Sequence, residues 1–566
     1  MRKLVGKGLS GPKTLAQLLL GSAACLVATN AAAQQQGPQA QGAPLRMKTD
    51  YFGYAASISP RVSYTDNVNL GPKDNKDDEL FLSSLFSGAA IYSSKRFTGI
   101  INGDVDVSYV KSNSDVVANQ DVGAAGTLTV ADNIFYVDIA GSSSRQLLGE
   151  SARFSTNINA ARGQRANVHS YTASPYFYHQ FADQSTAQLR YRFSQVLIGD
   201  DNSNANPYSP YGANFLNDSL SHSVTAVYDS GKAFDRFHFT LTAYGDRTIE
   251  DGSVVFPRYK YRQGSLMGEA QLPLSTAFAL SGAVGYDDIN TEMTPALFND
   301  ATLSGVFWRA GFAAQPGRRT SLRVEYGERF GDNFIDASFA YRLTERITFT
   351  AGANQTFETR AQSISTQNID QERSLLDFAD KLRQGVAMSP QGVITTATRL
   401  TDRSLNSQVT GVGVTKVANA QILASYGRTE LSAYALYQDT DYSYRRDKTS
   451  TVNLNVHRDV TRKIAAYANG FYRWSDTEID QATCVATPYV FGFDVTTPGF
   501  DAVSACLAFA NVNGKFNTVG GRVGVSYRLY KHISAFAEYG YTKRLADDPL
   551  LEYQENNAVA GVTLDF

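Results

Sequence analysis

Apolar and polar residues alternate over strand-length segments through most of the chain, and this alternation constrains the fold more than any other feature. The final segment places five apolar residues at a spacing of two, on one face of an extended strand: Ala558, Ala560, Val562, Leu564 and Phe566. Gly561, Thr563 and Asp565 fall on the other face. A chain that stops in mid-strand with an apolar face must set that face against apolar surroundings.

The same pattern recurs from about Ala55 to the end in segments of about 10 to 14 residues. Ile101, Val105 and Val107, for example, alternate with Asp104 and Asp106. The number of such strands is larger than one soluble β-sandwich contains. Charged residues in the middle of these strands need a polar lumen beside them. Because only a closed barrel satisfies every backbone group in lipid, the sequence predicts an all-β fold. It is a single transmembrane antiparallel up-and-down β-barrel over residues 51–566.

Short turns and longer loops alternate along the predicted barrel. Ten short turns are predicted on the periplasmic side: 93–96, 131–133, 182–184, 230–235, 272–276, 315–319, 343–346, 427–428, 461–463 and 530–532. Ten turns on the side that holds both termini imply about 22 strands, with 20 or 24 if one hairpin is miscounted. Three long loops are expected on the extracellular side: 198–217, 361–405 and 477–514.

The second long loop carries a helical signal. Leu375, Leu376 and Leu382 fall on one stripe, with Asp370 and Gly385 as candidate caps. Such a helix could form a lid or a constriction inside the pore, or it could lie on the outer rim.

Residues 1–33 read as a secretory signal. Arg2 and Lys3 begin a basic stretch, an apolar stretch follows, and three alanines at 31–33 offer a cleavage site. The apolar stretch is too short and too interrupted for a retained anchor, and Ser22 disfavours a lipoprotein anchored through Cys25. Residues 34–50 are then a short periplasmic segment ahead of the barrel.

Charge and motifs exclude several functions. The 52 basic and 54 acidic residues give a net charge of −2, whereas a nucleic-acid partner favours a basic excess. No nucleophile elbow, P-loop, HExxH or CxxC motif is present. We therefore expect no enzyme activity, no catalytic or metal site and no cofactor.

Two cysteines follow the predicted signal. Cys484 and Cys506 lie in the same predicted loop of an exported chain, which favours a disulfide. Two independent free thiols are the alternative.

Strand parity predicts charges on the lumenal face. The predicted lumenal cations are Arg190, Arg192, Arg258, Lys260, Arg262, Arg323, Arg342, Arg522 and Arg528. Carboxylates are expected on the same face: Asp104, Asp106, Glu325, Asp336 and Glu538. An arginine ladder would favour passage of anionic solutes or acidic polysaccharide. Alternatively, the two signs pair across strands and stiffen the wall.

The chain's ending resembles the signal by which the barrel assembly machinery of the outer membrane handles its clients. Gly561, Leu564 and Phe566 carry this resemblance. It implies that the assembly machinery is a partner, together with outer-membrane lipid and lipopolysaccharide.

The first strand carries a second resemblance, over residues 58–70, with the core Tyr-Thr-Asp-Asn-Val-Asn-Leu at 64–70. This core and the segment 134–146 are similar to a family of outer-membrane β-barrel proteins described as porins and associated with exopolysaccharide and PEP-CTERM (exosortase) gene clusters. The resemblance covers most of the predicted mature chain and brings no catalytic residues with it. It implies an outer-membrane location and a link to surface polysaccharide or to protein sorting, with polysaccharide-export components as candidate partners.

These features favour a pore or assembly component for export of a surface polymer. A general diffusion porin and a structural or adhesive barrel without transport are the alternatives. A siderophore-type transporter is disfavoured because about 17 residues separate the predicted signal from the barrel, fewer than its plug domain needs.

Overall fold

The computed structural model describes 22 β-strands in one antiparallel sheet. The described residues are 51–112, 114–147, 153–157, 159–160, 165–199, 218–231, 233–234, 237–251, 259–292, 300–359, 362, 412–442, 445–488, 495 and 499–566. The predicted signal, the segment 34–50, most of the loops 198–217 and 361–405 with the helical signal at 375–382, and Arg258 lie outside them.

The strands follow one another around the barrel in chain order. They are β1 (Tyr51–Thr65), β2 (Glu79–Ser93), β3 (Phe97–Val110), β4 (Val116–Ala131), β5 (Phe135–Leu147), β6 (Arg165–Gln180), β7 (Thr186–Gly199), β8 (Ser219–Asp229), β9 (His238–Glu250), β10 (Tyr259–Pro273), β11 (Phe278–Glu292), β12 (Gly305–Gly317), β13 (Thr320–Arg329), β14 (Asp332–Thr344), β15 (Ile347–Thr359), β16 (Val412–Tyr426), β17 (Thr429–Asp441), β18 (Arg445–Asp459), β19 (Ile464–Ile479), β20 (Phe516–Tyr530), β21 (Ile533–Ala546) and β22 (Tyr553–Asp565). Each strand is antiparallel to its sequence neighbours, and β1 also pairs with β22. The predicted closed up-and-down barrel of 22 strands is confirmed.

Short connections at one end and longer ones at the other complete the predicted topology. Each of the ten predicted turns falls between consecutive strands at the end where β1 begins and β22 finishes. One extracellular connection is also short, the two residues Phe330 and Gly331 between β13 and β14. Gly331 and Phe330 both have positive φ there, at 73° and 58°.

The closing seam shows why glycine stands at position 561. A Cβ on Gly561 would come within 2.6 Å of the Pro60 carbonyl oxygen and 2.8 Å of the Arg61 Cβ. The backbone N–H of Phe566 donates to the Ala56 carbonyl at 2.9 Å, so the last residue extends the seam. Gly561 therefore has a packing role where β1 meets β22, besides its place in the predicted assembly signal.

Three α-helices and one 3₁₀ helix lie between strands in the described part. They are α1 (Asp300–Leu303), α2 (Gln481–Ala486), α3 (Ala502–Asn513) and the 3₁₀ helix Pro549–Leu551. Among the described residues, no helix has both the length and the apolar character needed to cross a membrane.

Candidate functional site in the barrel lumen

The two faces of the wall differ in chemistry. Large apolar side chains are exposed on the outer surface, including Leu82, Ile101, Leu266, Val284 and Leu454. The alternate positions point inward and are rich in small hydroxyls: Ser57, Ser59, Ser63, Ser83, Ser87, Ser142, Ser144, Ser170, Ser174, Ser219, Ser221 and Ser223. A closed sheet that is apolar outside and polar inside is typical of a protein whose strands cross a lipid bilayer. The chain is an outer-membrane β-barrel protein.

Solved structures share the barrel architecture at low similarity. The siderophore receptor PirA from Acinetobacter baumannii is 8% identical with a TM-score of 0.45, covering 91% of this chain and 80% of that one. The ferric-catecholate import receptor Fiu from E. coli K12 is 11% identical with a TM-score of 0.44, covering 91% and 82%. The FrpB iron transporter from Neisseria meningitidis is 8% identical with a TM-score of 0.36, covering 92% and 83%. No family model and no curated protein matches the chain.

Six of the nine predicted lumenal cations lie on the inward face. These are Arg190, Arg192, Arg323, Arg342, Arg522 and Arg528, which share parity with inward positions on β7, β13, β14 and β20. Arg190 donates to Asp138 at 2.7 Å and to Ser174 at 2.9 Å. Arg323 contacts Glu269 at 2.8 Å and Glu325 at 2.9 Å. Arg190 and Arg323 thus pair across strands, as the wall-stiffening alternative expects.

The predicted inward direction of Lys260 and Arg262 is wrong. On β10 the inward residues are Tyr261, which is 0% exposed, and Gln263, whereas the Arg262 side chain is 54% exposed on the outer surface. Tyr261 packs inside the barrel with Ile289 and Phe357. The physical reason is that β10 begins at the extracellular rim, above the apolar belt. Outward cations meet headgroups and water there, while the aromatic ring fills a lumenal cluster.

One lumenal cation with three carboxylate partners was not among those predicted. Arg309 on β12 is 6% exposed and contacts three carboxylates: Glu269 at 2.6 Å, Glu325 at 3.0 Å and Asp336 at 2.7 Å. Burial of four charges is tolerated because each has a partner of opposite sign. The alternation of Val306 and Trp308 with Phe307 and Arg309 is the sequence signal that could have identified it.

A segment after β5 lies inside the barrel, which sequence reasoning did not anticipate. Residues 153–157 and 159–160 run along the inner wall, and every partner described below is an inward residue or an extracellular connection. Arg153 donates to the carbonyl oxygens of Leu70 at 2.6 Å and Leu550 at 2.9 Å. The Phe154 backbone N–H donates to the Tyr553 hydroxyl at 2.9 Å, and the Phe154 ring meets Phe471 edge-on at 4.9 Å. We call the described residues 153–157 and 159–160 the inner segment.

The middle of the inner segment is tied to β20 and β22. Ser155 donates to the carboxylate of Glu555, which also accepts from Thr65 at 2.8 Å. Asn557 donates to the Thr156 hydroxyl at 2.8 Å, and Arg522 donates to the Thr156 carbonyl at 2.6 Å. These side-chain bonds span about 400 positions of sequence, so the segment is held by the closed barrel and not by its neighbours in the chain.

Gly540 on β21 makes room for this arrangement. A Cβ at this position would lie 2.6 Å from the Thr156 hydroxyl oxygen and 2.4 Å from Asn557 Oδ1. Real Cβ atoms do not approach so closely, so a larger residue would displace the inner segment or the Asn557 side chain.

Asn159, near the C-terminal end of the inner segment, binds strands on the other side of the seam between β1 and β22. Asn159 donates to Asp106 at 3.3 Å and Ser108 at 3.0 Å on β3, and accepts from Asn119 on β4 at 2.9 Å. The inner segment therefore covers the inner wall along the arc from β4 through β1 to β19, in the extracellular half of the lumen.

A second contact reaches into the lumen from the loop after β15. Gln362 donates through Nε2 to Asp246 on β9, and Asp246 also accepts from Ser221 at 2.8 Å and Thr248 at 2.9 Å. Gln362 is the described residue of the predicted long loop 361–405, and its buried side chain contacts β9, six strands away from β15 round the barrel.

The third long loop contains the two cysteines. Cys484 on α2 and Cys506 on α3 are bonded, with Cα atoms 5.9 Å apart, and both are fully buried. Hydrogen bonds from Thr483 and Ser504 lower the pKa values of the helix N-caps Asp480 and Asp501, respectively. The disulfide and the two caps hold α2 and α3 together in the described part of this extracellular loop.

The described lumenal wall is polar, and the inner segment covers one side of it. Among the described residues, no group of three His, Cys, Asp or Glu side chains could hold a metal ion. What the arrangement can do is present a polar lumenal wall to hydrated solutes, with the inner segment lying against one arc of that wall.

Proposed function

We propose that this protein is a gated outer-membrane pore that serves export of a surface polysaccharide. The observation that carries the proposal is the inner segment, which side-chain hydrogen bonds hold against a polar lumenal wall. Such bonds individually contribute about 0.5–1.5 kcal/mol net, so a set of them can keep a segment in place and still release it.

The chemistry of the wall favours a sugar polymer as the cargo. Buried serine hydroxyls on the inward face of β1, β2, β5, β6 and β8 make the wall polar without adding charge, which suits an uncharged polyol better than a small ion. The arginines Arg190 and Arg323 already have carboxylate partners, so they leave no strong net field for small anions. The resemblance of residues 58–70 to barrels of exopolysaccharide gene clusters supports the same cargo.

Tethering the inner segment tests whether it moves. The variant T156C/N557C joins two side chains whose polar atoms lie 2.8 Å apart, and the C484S/C506S background removes the native disulfide. We expect the oxidised protein to conduct poorly in planar bilayers and to gain conductance on reduction. Added dextran should then block the reduced channel in a concentration-dependent way.

The controls separate this function from the alternatives. The C484S/C506S background alone should not respond to reductant. Equal conductance before and after reduction would contradict gating by the inner segment and favour a general diffusion porin. Absence of conductance in both states would favour a structural barrel without transport.

A further inference from the structure

A row of basic side chains crosses the outer surface at the extracellular ends of β8, β9 and β10. His222 is directly opposite Arg247, and Arg247 is directly opposite Arg262. Arg247 points outward because its strand neighbours Asp246 and Thr248 are buried on the lumenal side. We call His222, Arg247 and Arg262 the basic row.

The basic row is poorly neutralised by the protein itself. The Arg247 side chain forms no hydrogen bond or ion pair within the part of the chain that the structure describes. Arg262 reaches Glu292 at 3.5 Å, but Lys260 holds that carboxylate more closely at 3.1 Å. Asp288 lies on the same face, one row nearer the periplasm. Like charges directly opposite each other destabilise a sheet. An external anion bound at the basic row would therefore relieve the repulsion between its arginines.

Two outward cations elsewhere on the same rim are neutralised. Arg446 on β18 makes a bidentate pair with Asp439 at 2.8 and 2.7 Å, and Lys448 contacts Glu478 at 2.8 Å. The wall can thus supply carboxylates to cations at this level. The basic row differs because its two guanidinium groups face each other.

The height of the basic row matches lipid headgroups. Arg262 and Leu272 lie on the outer face of β10, ten residues apart. At about 3.3 Å per residue and a tilt of roughly 40°, this separation corresponds to about 25 Å along the membrane normal. Arg262 therefore lies at the upper edge of the apolar belt, where the headgroups of the outer leaflet begin.

A recess lies directly beneath the two arginines. Gly245 and Gly264 are opposite each other, one row closer to the apolar belt. A Cβ on Gly245 would meet no atom within 4 Å, and a Cβ on Gly264 would meet only Asp288 atoms, at 3.9 and 4.0 Å. This space could hold the sugar to which a headgroup phosphate is attached.

We propose that the basic row and the glycine recess form a binding site for the phosphorylated headgroup of an outer-leaflet glycolipid of the lipid A type. A phosphate between Arg247 and Arg262 accepts hydrogen bonds from both guanidinium groups and relieves their repulsion. His222, held by the Tyr191 hydroxyl at 2.7 Å, flanks this phosphate. The acyl chains then continue down the apolar surface past Leu266.

The test measures binding of purified diphosphoryl lipid A to the full chain in detergent, by native mass spectrometry. In R247Q/R262Q the dissociation constant should rise about tenfold or more, since both guanidinium groups that bind the phosphate are lost. The control R446Q/K448Q removes two outward cations that pair with Asp439 and Glu478 and should bind as the wild type does. Heat-modifiable electrophoretic mobility verifies the barrel in every variant.

A second variant and two further probes complete the test. G245L fills the recess without changing charge and should also weaken lipid A binding. Dephosphorylated lipid A should bind wild type and R247Q/R262Q equally weakly. Unchanged binding in R247Q/R262Q and G245L, or full binding of the dephosphorylated lipid, would overturn the site. Displacement of lipid A by equimolar inorganic phosphate would show a site for free anions, which also contradicts the proposal.

Discussion

At the scale of single residues, glycines mark the places where the wall must admit another group. Gly561 lets β22 close against Pro60 and Arg61, and Gly540 lets Thr156 approach the wall. Gly245 and Gly264 instead face open space on the outer surface. The same residue type thus serves close approach in the first two positions and leaves a recess in the other two.

Gly540→Ala should loosen the inner segment. The new Cβ would overlap the Thr156 hydroxyl and the Asn557 side chain, so the bond between them should be lost. Hydrogen exchange of backbone amides in residues 153–157 should become faster, and single-channel recordings should show more frequent opening.

Gly470→Ala is the matched control for that substitution. Gly470 also lies within a strand, but a Cβ there would meet no atom within 4 Å. Its exchange and conductance should follow the wild type. If both variants behave alike, contact between Gly540 and Thr156 does not hold the inner segment.

At the scale of elements, α2 and α3 show how a long loop becomes ordered. The disulfide closes a stretch of 22 positions, which by loop-closure entropy restricts the unfolded loop by about 3 kcal/mol. Asp480 and Asp501 each accept the backbone N–H two residues on, at 3.1 Å, and so satisfy a free helix donor. Covalent and hydrogen-bonded constraints thus act together on the described part of this loop.

The Asp501 cap should give α3 an acid-sensitive start. Because hydrogen bonds lower the pKa of Asp501 below its ordinary 3.8, its stabilisation is complete above about pH 4 and is lost as the pH falls through the lowered value. Protection of the amides at 503–505, corrected for intrinsic exchange, should therefore hold down to about pH 4 and decline below it, toward the acid limit of the measurement.

Two substitutions at Asp501 separate charge from capping. Asn caps helices without titrating, so Asp501→Asn should keep protection that is independent of pH. Asp501→Ala should lower protection at every pH. An equal decline with acid in wild type and Asp501→Asn would contradict a role for this carboxylate.

At the scale of the whole molecule, alternation in the sequence was enough to predict the barrel, the strand number and the ten periplasmic turns. A period of two is a local property that each strand carries independently. The direction in which individual charged side chains face was harder to predict. In Tyr-Lys-Tyr-Arg at 259–262, aromatic and basic residues alternate, and either type can face the lumen or the outer surface, so the pattern alone cannot say which faces outward. The burial of Tyr261 depends on Ile289 and Phe357 from distant strands.

The inner segment could not be predicted for a related reason. Its residues carry no periodic signal, and its hydrogen bonds reach Asp106, Arg522 and Glu555, which lie 53 to 400 positions away. Only closure of the barrel brings these groups together. Contacts that depend on closure are invisible in a strand-by-strand reading, and the candidate site consists mainly of such contacts.

The charge network around Arg309 should make its part of the wall depend on one side chain. Arg309→Met would leave Glu269, Glu325 and Asp336 clustered with only Arg323 nearby. Removing one partner from a buried ionic cluster costs about 3–5 kcal/mol, and urea unfolding of the barrel in lipid should show a loss of this size. Lys416→Met is the control, since Lys416 pairs with exposed Asp332 on the surface and such pairs contribute about 0–1 kcal/mol. Equal losses in the two variants would mean that the lumenal network is as weak as a solvent-exposed pair, and that the wall draws its rigidity from the backbone ladder alone.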